Sequence, residues 1–201
     1  MPGQVKEHGG KRKRATADDV PNKQARQEPG LGDDPEAEIL RLEKSIHESA
    51  KNYNNIRPLL AAAIRVDEDG DIAVVAGVAL CRVFIRLLST GVFSYQKALS
   101  DRHNVVVKWL NERFIDYRNV LYKLVARPWT SVAGVTLSMR ILKAEAQYLV
   151  NKEPYNFPEN FFTNVLNNLF HGGSEESRRV FREEYSDKYD DVRFYTLKIT
   201  G

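Results

Sequence analysis

Four histidines, one cysteine and two lone carboxylates are the side chains here that could hold a metal or move a proton: His8, His47, His103, His171, Cys81, Glu145 and Glu153. Their spacing argues against both uses. A metal pair on a helix needs ligands one turn apart, and no histidine has a second histidine or the cysteine at i+4. One cysteine builds neither a thiolate zinc site nor an intramolecular disulfide, which fits a reducing compartment. Cys81 also lies inside an apolar run, where a thiol is inert packing. The acidic loop Asp67-Glu68-Asp69-Gly70-Asp71 fails as a calcium loop. Counted from Asp67, the position that needs glycine holds Ile72, and the position that needs glutamate holds Val78. No Gly-rich phosphate loop precedes a Lys-Ser/Thr pair, and no Gly-x-Ser-x-Gly elbow occurs. The chain is therefore expected to be no enzyme, and to need no metal, cofactor or small-molecule substrate.

Basic residues are the remaining candidates. Lys11, Arg12, Lys13 and Arg14 are consecutive in a polar segment, the pattern of a nuclear-import peptide read by an importin groove. Arg178, Arg179 and Arg182 cluster near Tyr185 and Tyr189, groups suited to phosphate and base contact. Glu175, Glu176, Glu183 and Glu184 interleave with them, however. Arg179 and Glu183 stand at i,i+4, the spacing of an ordinary surface ion pair. A solvated, self-neutralised face is the stronger reading, with direct RNA binding as its rival. The net charge of +3 is too small to make the body a nucleic-acid binder by itself.

These residues must be positioned by helices. The chain has 201 residues, of which 42% are hydrophobic and 28% charged, which suits one soluble domain with a tail. Residues 1–34 are rich in Gly, Pro and charge and hold almost no large apolar side chain, so they are expected to form a disordered tail. The helical domain is expected over 35–201. Asp34-Pro35 opens its first helix as N-cap and N1, with Ile39, Leu42 and Ile46 inward. The cluster Asn52-Tyr53-Asn54-Asn55 breaks it, and a second helix is expected over Ile56–Val66. Ile72–Leu88 is apolar on nearly every face and carries only Arg82 and Arg86 as charges, so it reads as a buried central helix capped by Asp71 and closed at Gly91. It is too short and too charged to be read as a membrane span.

A fourth helix is expected over Arg102–Val125, with Val106, Trp109, Leu110, Phe114, Tyr117, Leu121 and Leu124 inward at spacings of three and four. A fifth runs from Trp129 to Val150 and buries Val132, Val135, Met139, Leu142 and Leu149. Three more follow, over Glu159–Phe170, Ser174–Tyr185 and Asp190–Lys198. Short loops between helices predict antiparallel hairpins. The expected fold is all-α, a HEAT-like alpha solenoid.

Five segments follow one another in a recognisable order. They are Val83-Phe84-Ile85-Arg86-Leu87-Leu88-Ser89-Thr90-Gly91, Lys108-Trp109-Leu110-Asn111-Glu112-Arg113-Phe114, Thr136-Leu137-Ser138-Met139-Arg140-Ile141-Leu142-Lys143-Ala144-Glu145, Tyr155-Asn156-Phe157-Pro158 and Tyr189-Asp190-Asp191-Val192-Arg193-Phe194-Tyr195. In order and spacing the chain resembles the N-terminal half of the nucleolar complex protein 4 family, within the CCAAT-binding-factor family, over about residues 36–200. The resemblance implies a non-catalytic scaffold of the small-subunit processome, acting in the nucleolus and nucleus on 18S rRNA maturation and on pre-40S assembly and export. The partners it implies are nucleolar protein 14 and other processome proteins, with pre-rRNA nearby and no membrane. The family's named domain lies in its C-terminal half, so this chain is expected to be a fragment, a truncated product or part of a split gene. A direct RNA-binding module and a generic helical adaptor are the alternatives.

Overall fold

The computed structural model describes residues 34–93, 101–150 and 157–201, and among them the fold is eight packed helices with no strand. These are α1 (Pro35–Glu48), α2 (Ile56–Ala63), α3 (Gly70–Ser89), α4 (Asp101–Ala126), α5 (Ser131–Val150), α6 (Glu159–Gly172), α7 (Glu175–Phe181) and α8 (Asp190–Thr200). Lys11, Arg12, Lys13 and Arg14 lie outside the described residues, as do the side chain of Leu149 and the Pro154 loop.

Local chemistry sets the boundaries. The Asp34 carboxylate accepts the Ala37 N–H at 3.0 Å, and Pro35 fills the first turn, where its missing N–H costs nothing. The asparagine cluster does end α1, but it does so by winding a 3-10 turn over Ala50–Asn55. Asn52 and Asn55 hook back onto the Ser45 carbonyl and hydroxyl at 2.9 and 2.7 Å. Gly91 closes α3 in the left-handed region, with φ 71°, where a side chain would be strained.

Four expectations need correction. Asp69, not Asp71, caps α3: its carboxylate accepts the Ile72 N–H at 3.0 Å, and Gly70 is already helical. Asp71 instead sits in the first turn, favoured by the helix dipole. On α4 the inward stripe begins at Val107, fully buried, while Val106 is 42% exposed. Periodicity back from Leu110 permits either, and packing selects Val107. On α5 Val132 is 37% exposed rather than buried, and the helix starts at Ser131 because Pro128 and Trp129 form the preceding turn. The seventh helix is α only to Phe181 and continues to Ser186 as a π-helix over Arg182–Ser186.

The packing has a regular order. Each helix from α2 onward lies against the helix two places on: α2 on α4, α4 on α6, α6 on α8, and α3 on α5, α5 on α7. Helix α1 lies on α3 in the same way. Two layers result, the odd-numbered helices in one and the even-numbered in the other. α3 is long and apolar enough to cross a membrane by length and composition, and here it packs against α1, α2, α4 and α5. Its Phe84 is fully buried, stacked on Tyr117 at 5.3 Å and tilted against Phe114 at 5.1 Å. Burying such side chains contributes about 1.5–3 kcal/mol each. Arg82 and Arg86 lie on its exposed edge.

Candidate interaction surfaces

The arginines of α7 have separate jobs. Ser174 caps the helix by accepting the Ser177 N–H at 3.1 Å. That places Arg178 beside the end of α6, where its guanidinium donates to the Gly173 carbonyl at 2.6 Å. Arg178 is thus a clasp on the α6–α7 turn. Arg179 binds Glu176 through two hydrogen bonds of 2.6 and 3.0 Å and reaches Glu183 at 3.3 Å. These bonds hold the Glu176 carboxyl below the usual carboxylate range. Arg182 extends into solvent, 3.9 Å from Glu183. Exposed pairs of this kind add little to stability, because water screens them. They neutralise the face without fixing it. Tyr185 is half-buried, 6.5 Å from the Phe181 ring, and Tyr189 is exposed.

A groove opens beside this face. It has a volume of about 680 Å³ and runs along the second half of α5. Met139, Leu142, Ala146, Phe157 and Val192 form an apolar floor. Phe157 is fixed there by stacking on Tyr195, with ring centroids 4.0 Å apart. Arg140 and Lys143 line it from α5, and Tyr185 and Tyr189 from the segment after α7. Sequence periodicity could not show this groove, because it depends on how far α7 extends. The one local signal was the charged run after Phe181, in which Tyr185 is the one residue that packs against the core.

The reactive groups are used for packing. Cys81 is buried, and burial pushes its thiol up, away from the thiolate. The Tyr117 hydroxyl donates to the Gly77 carbonyl at 2.8 Å and is pushed well up by its complete burial. Glu145 meets Arg118 of α4, a partner 27 positions away that no local pattern announces. Among the described residues no group of three or more His, Cys, Asp or Glu side chains could hold a metal ion. His47 instead approaches Glu43, which takes a 3.0 Å hydrogen bond from Arg82 and so ties α1 to α3.

Comparison with known proteins agrees with this helical architecture. A Schizosaccharomyces pombe protein described as uncharacterized is 31% identical over 170 residues, covering 80% of this chain. The match covers only 34% of that relative, so the chain spans about a third of its length. No solved structure matches. A family model described as nucleolar complex protein 4-like, TPR repeats, matches residues 27–200. TPR repeats, like the HEAT-like hairpins expected from the sequence, are stacked helical pairs. The match takes in every helix, from the α1 cap at Asp34 to the end of α8. The chain belongs to the nucleolar complex protein 4-like family, and its membership links it to ribosome biogenesis.

Proposed function

We propose that this chain is a non-catalytic helical scaffold in small-subunit assembly, the N-terminal solenoid of a small-subunit processome component. The observation that carries the reading is the family match over residues 27–200, laid on helices that each pack on the helix two places on. That order is what a solenoid requires, since each repeat buries its apolar face only against its neighbours. In this reading the protein resides in the nucleolus, enters the nucleus by importin through Lys11–Arg14, and works on 18S rRNA maturation and pre-40S assembly and export. Its partners are nucleolar protein 14 and other processome proteins, with pre-rRNA close by. Contacts are made by side chains spread over an extended surface. Tagged full-length protein should co-purify with small-subunit precursor proteins and unprocessed small-subunit rRNA. A purification that yields the protein without them would overturn the reading.

A further inference from the structure

Helix α7 is too short for the helix it covers. α5 has 20 residues; α7 has 7 and continues as a five-residue π-helix over Arg182–Ser186. At 1.5 Å per residue α5 is about 30 Å long, and the helical stretch from Glu175 to Ser186 is at most about 18 Å. The two helices start side by side, where the Ser131 and Ser174 hydroxyls lie 2.9 Å apart. α7 and its continuation therefore cover only the first part of α5. The chain then leaves the π-helix and crosses to α8, which packs on that π-helix and on α6. The second half of α5, from Met139 to Gln147, faces the groove.

We infer that this groove takes a short amphipathic helix from a partner protein, with an apolar stripe against the floor and acidic residues against Arg140 and Lys143. The space lies in the odd-numbered layer, where a longer α7 would run, and packed helices sit about 8–10 Å apart. Met139, Leu142 and Ala146 follow one another at helical spacing along the floor. They offer ridges to a helix of about two to three turns. The charge selects an acidic partner: Arg140 and Lys143 are exposed, and neither is ion-paired among the described residues. Asp191 closes the α8 end with the opposite sign. Tyr185 and Tyr189 supply the amphipathic rings common in protein interfaces. Two cations over an apolar floor suit RNA poorly, because phosphate binding draws on a row of cations. A groove of two turns is also small beside the roughly 1,200 Å² of a stable dimer.

The inference rests on the scaffold reading only in treating the chain as a binding protein, and its test is independent of ribosome components. The full chain is titrated into a labelled synthetic helix of about 12 residues, with Leu at i, i+3 and i+7 and Glu on both flanks, followed by fluorescence anisotropy. A matching peptide with Lys in place of Glu is the control. The Glu peptide should bind and the Lys peptide should not. Arg140→Glu with Lys143→Glu should weaken the Glu peptide roughly tenfold or more and reverse the preference. Ala146→Trp, which fills the groove, should abolish binding with unchanged helical circular dichroism. Affinity that ignores both changes, or that is lost on Lys11–Arg14→Ala instead, would overturn the inference. So would tighter binding of oligouridylate that vanishes with the same charge changes, or a dimer that Ala146→Trp dissociates. Failure of the scaffold reading would show only in the co-purification, which this assay does not use.

Discussion

Arg118 and Glu145 meet against α6, their side chains only 24% and 12% exposed. The guanidinium lies over the Phe114 and Phe161 rings, 4.8 and 5.1 Å from their centroids. Arg118 Nε and Glu145 Oε2 are buried without a hydrogen-bond partner among the described residues. Burial raises the Glu145 pKa, and Arg118 offsets this only in part. The folded state therefore holds that proton more tightly than the unfolded chain does. The contribution of Glu145 to stability is complete at acid pH and is lost as pH rises through its raised folded value. Removing one partner strands the other, so Arg118→Met alone should cost roughly 2–4 kcal/mol in urea unfolding, with Arg118→Met plus Glu145→Leu close to the parent or above it. The single variant should also lose stability more steeply from mildly acid to mildly alkaline pH. A double variant weaker than the single, or an unchanged pH slope, would refute this account. In the sequence Glu145 looks isolated, because periodicity describes one helix at a time and carries no information about a partner on another.

Elements were more legible than pairs, for a physical reason. Caps, prolines and glycines act locally, so Asp34-Pro35, the asparagine cluster and Gly91 could be read directly, and eight helices follow in the expected order. Phase and length depend on neighbours. Val106 and Val107 are equivalent until α4 meets the core, and the end of α7 depends on where α8 must return. Some contacts between elements also hinge on missing atoms. A Cβ on Gly134 would sit 2.6 Å from Val125 N and 2.7 Å from the Leu124 carbonyl carbon, both backbone. The α4–α5 hairpin closes this tightly only because Gly134 has no side chain. Gly134→Ala should destabilise by about 1–3 kcal/mol, as overpacking does. Gly70→Ala should cost less, since its nearest contact is the side chain of Trp129 at 3.0 Å, and that residue is largely exposed. Thermal melts of the two variants check the order, and a milder Gly134 variant would contradict the hairpin argument.

At the scale of the whole molecule, charge and packing have separate roles. The import role proposed for Lys11–Arg14 concerns residues outside the described structure and is tested apart from the fold. Changing those four residues to alanine in a fluorescent fusion should reduce nuclear accumulation while leaving thermal stability unchanged. Accumulation that persists would remove the import role and leave the scaffold reading standing. On the body, Phe194 and Leu197 remain 62% and 66% exposed on α8, where the layered order offers no further helix among the described residues. The two edges of the stack also differ. On one, α4 joins α5 and α6 joins α7 through short turns, and a Cβ on Gly172 would fall 2.4 Å from the Ala126 carbonyl oxygen. The Ser131 and Ser174 hydroxyls meet at the same edge, 2.9 Å apart. Were the stack to bend about that edge, the side on which the groove along α5 lies would open. A helix seated in the groove would then act as a wedge at the long end of a lever, and the curvature of the array would report whether it is filled.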